Sequence, residues 1–120
     1  MNHRSRLAFA ASAFLLASTR VLAAAPEPFE FRLDPGKAEE ICMRLDVGHG
    51  IDFRFQSDAP VDFNLHYHAG NKVLTPIDAR AVSKQTGRFV AKARNDYCLM
   101  WTAPKGQAAG VTGRWKMLGR

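Results

Sequence analysis

The clearest hydrophobic pattern lies in residues 61–68, where apolar and polar side chains alternate without interruption. Successive side chains of a β-strand point to opposite faces, so this alternation predicts a strand with one buried and one polar face. The same alternation predicts strands at residues 29–33, 41–47 and 51–56, in addition to 61–67. Glycine, proline and aspartate, which favour turns, separate these from further predicted strands at residues 72–77, 88–93, 97–102 and 111–118.

The pattern is weakest in residues 78–86, where a helical turn, a loop and an irregular edge strand all fit the sequence. Pro76 indicates an edge position for residues 72–77, because proline cannot donate a hydrogen bond to a sheet. Residues 97–102 are apolar on both faces, which is typical of a central strand. Seven or eight short strands with frequent turns predict one all-β domain, an antiparallel β-sandwich, with a small closed barrel as the alternative.

The N-terminal residues 1–23 have the pattern of a secretory signal peptide. Arg4 and Arg6 precede an apolar run at residues 7–17, and small residues follow at 21–25. The apolar run is shorter than the roughly 20 residues that span a bilayer. Cleavage after residue 23 would leave residues 24–120 as the domain, periplasmic or secreted and without a transmembrane anchor; cleavage after residue 24 or 25 fits the sequence nearly as well. An uncleaved anchor or a buried helix is the alternative interpretation.

Removal of residues 1–23 changes the charge of the protein. The full sequence has a formal net charge of +6, but three basic and no acidic residues lie in this segment, so residues 24–120 carry +3. The densest basic cluster, in residues 80–94, is interpreted as a solvated face or as a weak attraction to an anionic envelope surface. Nucleic-acid binding is not expected, because the basic residues form no stripe interleaved with aromatic residues.

The two cysteines, Cys42 and Cys98, are expected to form a disulfide, because an even number of cysteines in an exported chain favours a bridge. A bridge across this separation would remove about 4 kcal/mol of unfolded-state entropy. The alternative, a pair of metal-binding or redox-active thiols, lacks the usual CxxC spacing.

His66 and His68 are the only clustered side chains suited to chemistry. They lie on one face of the predicted strand, with Cα atoms about 6–7 Å apart, and such a pair can chelate Cu or Zn. A third ligand would have to come from His49, Met43 or Met100. The alternative is that both histidines are polar groups on a solvated strand face, in which case no cofactor is expected.

Catalytic activity is not expected from this sequence. Ser57 and Ser83 lie in no nucleophile motif, and the aspartates alternate with apolar residues as surface acids do. The aromatic residues are expected to fill the core, although a glycan-stacking platform is the alternative. These residues are Phe53, Phe55, Phe63, Tyr67, Phe89, Tyr97, Trp101 and Trp115.

Several short motifs resemble the GOLD-type β-sandwich of emp24-like cargo receptors. They are Cys42, the strand Asp62-x-Asn64-Leu65, and Gly87-Arg88-Phe89 followed by Asp96-Tyr97-Cys98. The resemblance covers about residues 42–117 and implies a jelly-roll-like sandwich tied by two cysteines. The Asp62–Leu65 strand is also similar to the bacterial pre-peptidase C-terminal domain. The coiled coil, membrane helix and coat-binding tail of the cargo receptors are missing, so a trafficking role is not implied.

The function expected from the sequence is that of a non-catalytic module in the bacterial envelope. The whole chain is similar to small exported proteins of Gram-negative bacteria that have no assigned activity. We expect a periplasmic β-sandwich that binds an envelope protein or a glycan, or has a structural role. The alternative is a periplasmic metal-binding protein that holds Cu or Zn with His66 and His68.

Overall fold

The computed structural model of the protein describes residues 10–17 and 25–119. Residues 10–17 have no regular secondary structure, and the rest of the predicted signal peptide lies outside the described residues. The described residues form six strands: β1 (Glu27–Leu33), β2 (Ala38–Leu45), β3 (Gly50–Ala69), β4 (Lys72–Val90), β5 (Asn95–Thr102) and β6 (Ala109–Leu118). Within these ranges, no helix is long and apolar enough to cross a membrane.

The number of strands is six, and not the predicted seven or eight, because two of the predicted breaks lie inside long strands. The turn expected at residues 58–60 is part of β3, where the register against β4 shifts between Gln56 and Val61. Such a bulge tolerates Pro60 inside a strand. Residues 78–86 belong to β4, with a second register shift and a positive φ of 52° at Ala81. The irregular edge strand was therefore the right alternative for this segment.

All strand pairs are antiparallel, and β3 is the centre of the sheet. The strand order is β1-β6-β3-β5-β2, and β4 pairs with the other edge of β3. Residues 50–57 of β3 pair with β6, whereas residues 62–67 pair with β5. We call the half with β6 and β1 the first arm and the half with β5 and β2 the second arm. The all-β antiparallel expectation is confirmed, but the strands form one sheet curled into a half-barrel.

The core lies between the inner faces of the two arms. Trp101, in the second arm, is fully buried, and its ring centroid lies 4.9 Å from that of Phe29 and 5.3 Å from that of Phe31 in the first arm. Phe55 and Phe63 pack together across the bend of β3, with ring centroids 4.8 Å apart. The predicted aromatic residues therefore fill the core or pack against it.

The disulfide prediction is confirmed, because Cys42 and Cys98 are bonded to each other. They lie directly opposite in the pairing of β2 with β5. No cysteine of the described chain is free, so neither sulfur is available as a thiol ligand. The bridge ties the outermost strand of the second arm to its neighbour.

Candidate functional site

The polar face of the second arm carries the predicted histidine pair. His66 and His68 lie on the same face of β3, and their ring centroids are 5.7 Å apart. His68 is exposed, but His66 is only 6% exposed and so does not lie on a solvated surface. The His66 Nδ1 atom lies 2.7 Å from Asn64 Oδ1, and its Nε2 atom lies 3.4 Å from Glu40 Oε1. The ring is thus held between an amide and a carboxylate.

Glu40 is the residue of this face that sequence reasoning missed. It lies on β2 opposite Met100 of β5, which in turn lies opposite Asn64 of β3. Only the order and register of three strands bring Glu40 to His66. No local motif in the sequence could have indicated this contact.

The three predicted candidates for a third metal ligand lie in three different parts of the structure. Met100 shares the polar face with the histidines, Met43 is buried in the core on the opposite face, and His49 lies in the turn between β2 and β3. Among the described residues, the one group of three close ligand atoms from His, Cys, Asp or Glu joins Glu40 to Cys42 and Cys98. Both of these sulfur atoms are already in the disulfide.

The polar face of the first arm forms a shallow trough, which we define by its lining residues. Three adjoining depressions of about 690, 550 and 750 Å³ follow this face across β1, β6, β3 and β4. Six basic and three acidic residues line the trough: Arg32, Arg54, Lys84, Arg88, Arg114 and Lys116, with Glu30, Asp52 and Asp58.

Two arginines lie side by side in the middle of the trough. Arg54 of β3 is directly opposite Arg114 of β6. On their other sides, Arg54 faces Thr86 of β4 and Arg114 faces Pro28 of β1. Neither arginine forms an ion pair with any acid in the described part of the chain. The centre of the trough is therefore a pair of uncompensated positive charges.

Two of the three acids of the trough, Asp52 and Asp58, are already engaged with other cations or with the backbone. Arg88 donates to both carboxylate oxygens of Asp52, at 2.7 and 3.0 Å, and Lys116 lies 4.0 Å away. These hydrogen bonds from Arg88 hold the pKa of Asp52 below its ordinary value of 3.8, against the smaller opposite effect of burial. Asp58 accepts a hydrogen bond of 2.7 Å from the Gly110 amide and lies 3.7 Å from Arg32.

From the sequence, the basic residues 80–94 are interpreted as a solvated face or as a weak attraction to an anionic envelope surface, and neither Arg54 nor Arg114 is a candidate site residue. The alternation of residues 51–56 placed Arg54 on a polar face correctly. Its partner Arg114 lies 60 positions further along the chain, at a separation fixed only by the pairing of β3 with β6. The charge pattern of the trough is thus a product of strand register.

Comparison with known structures relates the fold to small all-β proteins. No protein-family model matches the sequence, and no curated protein sequence matches it. The structure is similar to PliG of Aeromonas hydrophila, a periplasmic inhibitor of g-type lysozyme, with a TM-score of 0.56, 9% identity and coverage of 77% of this chain and 85% of PliG. It is also similar to TmCBM61, solved in complex with β-1,4-galactotriose, with a TM-score of 0.53, 11% identity and coverage of 76% and 69%.

At such low identity these similarities establish the fold alone. They support the small all-β fold that the sequence predicted, but they do not support the specific resemblance to the GOLD domain.

Proposed function

We propose that this protein is an exported, non-catalytic recognition module of the periplasm, and that the trough is its ligand-binding surface. The observation that carries this proposal is the uncompensated pair Arg54 and Arg114 on rigid, paired strands. Surface charges without partners are suited to a ligand that supplies the opposite charge. The signal-like N-terminus and the disulfide support export, because structural disulfides persist in oxidising compartments.

The two similar structures support a binding role for this fold. One is a lysozyme inhibitor, which acts on a protein, and the other is a module in complex with a galactose trisaccharide. The ligand of the trough is accordingly an envelope protein or a glycan.

The chemistry of the trough supports binding without catalysis. A general acid at neutral pH needs a raised pKa, whereas the ion pair with Arg88 lowers the pKa of Asp52. The trough has no histidine or cysteine among its lining residues. Its threonine, glutamine and arginine side chains are suited to hydrogen bonding with a ligand.

A matched pair of variants tests this assignment. Residues 24–120 are screened against an array of envelope oligosaccharides and for inhibition of g-type lysozyme. Thr112→Tyr, which fills the trough, should weaken binding of any ligand found at least tenfold. Thr102→Tyr places the same side chain at an equally half-buried position on the polar face of the second arm and should have little effect. If Thr102→Tyr loses binding and Thr112→Tyr does not, the binding site lies on the second arm. If no ligand is found in either screen, the proposed function is wrong.

Metal binding at the polar face of the second arm is the second candidate function. The observation that favours it is the Glu40 carboxylate, which lies 3.4 Å from His66 Nε2 and could join the two histidines as an oxygen ligand. The test is titration of residues 24–120 with Zn(II), Cu(II) and Cu(I). His68 is exposed, so its replacement should leave the fold intact. Stoichiometric metal binding that is lost in His68→Ala but retained in His49→Ala would establish the site. Equal binding by both variants would exclude it.

A further inference from the structure

We infer that the ligand of the trough is a carboxylate-bearing glycan, and that Arg54 and Arg114 hold its carboxylate groups. This inference rests on the proposed function, because it names the ligand class of the same surface. It follows from three properties of the trough: the unpaired charge at its centre, the absence of aromatic side chains from its polar face among the described residues, and its length.

The arrangement of the arginines is unfavourable without a ligand. Like charges directly opposite each other on neighbouring strands destabilise a sheet. In the row on one side of this pair, Arg88 and Lys116 share Asp52. Glu30 lies one row away, opposite Thr112, and forms no ion pair with either arginine. A carboxylate between the two guanidinium groups would remove the repulsion.

Arginine is the residue best suited to this ligand chemistry. Its planar guanidinium group donates two parallel hydrogen bonds to a carboxylate, which gives both strength and orientation. Arg54 and Arg114 project from strands that are paired on both edges, so their Cα positions are fixed before the ligand binds. Such preorganisation reduces the entropy cost of binding.

The lack of aromatic side chains on the polar face argues against a neutral glycan. Neutral sugars bind largely through aromatic rings that offer broad apolar faces. The aromatic residues that border the trough, including Phe53, Phe55 and Trp115, belong to the core or pack against it. A protein partner is disfavoured for a related reason, because binding hot spots combine arginine with buried aromatic anchors.

The shape of the trough fits an extended polar chain. From Asp52 to Asp58 the polar face follows β3 for six residues, which corresponds to about 20 Å. Gln56, Thr86 and Thr112 lie beside the arginines and offer amide and hydroxyl groups for sugar hydroxyls. The charged pair in the middle and neutral polar groups beside it match a polymer of acidic sugars.

The test compares two oligosaccharides that differ only in their acid groups. β-1,4-Linked tetramannuronate and β-1,4-mannotetraose share the same linkage and ring configuration, and only the former carries carboxylates. Binding to residues 24–120 is measured by calorimetry at low and high salt, and tetragalacturonate serves as a second acidic probe. We expect an acidic oligosaccharide to bind at least tenfold more tightly than mannotetraose, with an affinity that decreases as salt increases.

Matched arginine variants then locate the acidic oligosaccharide. Arg54→Gln and Arg114→Gln should each weaken binding about tenfold or more, as expected for loss of a charge-assisted hydrogen bond. Arg44→Gln removes the same charge from the polar face of the second arm, where Arg44 pairs with Asp96 at 3.1 Å, and should leave binding nearly unchanged.

The melting temperatures of the two trough variants should be equal to or above that of the wild type, because each variant removes a repulsion.

The possible failures distinguish the inference from the proposed function. Equal binding of mannotetraose would overturn the carboxylate inference while leaving the trough as a glycan site if Thr112→Tyr abolishes it. Equal weakening by Arg44→Gln would reduce the effect to unspecific charge attraction and overturn the role of the arginine pair. If neither acidic probe binds, the inference is also overturned. If the protein then inhibits g-type lysozyme, and Thr112→Tyr does not, the recognition role remains, with a protein as the partner.

Discussion

At the scale of single residues, Asp52 organises the charges of the trough. Its carboxylate binds Arg88 through two hydrogen bonds and attracts Lys116, so these two cations share an acidic partner while Arg54 and Arg114 have none. The alternation of residues 51–56 placed Asp52 on a polar face, as observed. Its partner Arg88 could not be predicted, because it lies 36 positions away on β4.

Replacement of this carboxylate should reveal a stability contribution that depends on pH. Asp52→Asn is expected to lower the free energy of unfolding by about 1 kcal/mol at pH 7, the upper end for surface ion pairs. The pKa of Asp52 is lower in the folded state than its ordinary value of 3.8. The contribution is therefore complete above about pH 4 and is lost as the pH falls through the folded-state pKa.

Urea unfolding of wild type and Asp52→Asn at pH 7 and near pH 2 measures this difference. The two proteins should converge at the lower pH. Asp46→Asn, which breaks the exposed contact of 3.2 Å with Arg94, is the control and should cost less at pH 7. A difference between wild type and Asp52→Asn that is the same at both pH values would show that the carboxylate charge is not its source.

At the scale of elements, the packing of β1 and β3 against β6 depends on a glycine of the first arm, Gly113. Gly113 lies on β6 between Phe29 of β1 and Phe55 of β3. A Cβ atom at this position would collide with the Arg54 carbonyl oxygen and the Phe29 ring, and would lie 2.9 Å from Phe55 Cβ. Glycine therefore lets the Phe29 ring lie directly over the backbone of β6.

Gly113→Ala is expected to lower the free energy of unfolding by about 1–3 kcal/mol, the usual cost of overpacking a core. Gly106→Ala is the matched control, because a Cβ atom there would meet no other atom within 4 Å, and it should change stability by less than about 0.5 kcal/mol. Denaturant unfolding of both variants tests the contact. A Gly113→Ala variant as stable as Gly106→Ala would mean that Phe29 does not pack against β6 as described.

The elements also show where sequence patterns are informative. Alternation located β1 and β2 because each has one face in the core and one in solvent, whereas the apolar run of residues 97–102 located β5. Local signals failed at Pro60 and Gly87, which indicate turns in most sequences. Here Pro60 lies in a bulge, and Gly87 makes room for the Phe53 ring, so neither interrupts its strand. Local chemistry cannot distinguish these tertiary roles from a turn.

At the scale of the whole molecule, the sequence predicted which faces are polar but not which polar residues meet. Arg54 and Arg114 meet through the pairing of β3 with β6, and Glu40 reaches His66 across β5. The exception is Cys42 with Cys98, because disulfide chemistry allows a long-range pair to be predicted without knowledge of strand order. Once the Cys42–Cys98 pair is known, it fixes the register of β2 against β5, and therefore which residue of β5 lies opposite Glu40.

The place of β1 in the sheet sets the order in which the protein can fold. Along the described chain, β1 is the first strand and its one hydrogen-bonded partner is β6, the last. The β3–β4 hairpin can form early, since its strands are adjacent and loop closure is cheap. β1 cannot pair before β6 is available. Phe29 and Phe31 therefore stay unburied until the last strand of the described chain has joined the sheet.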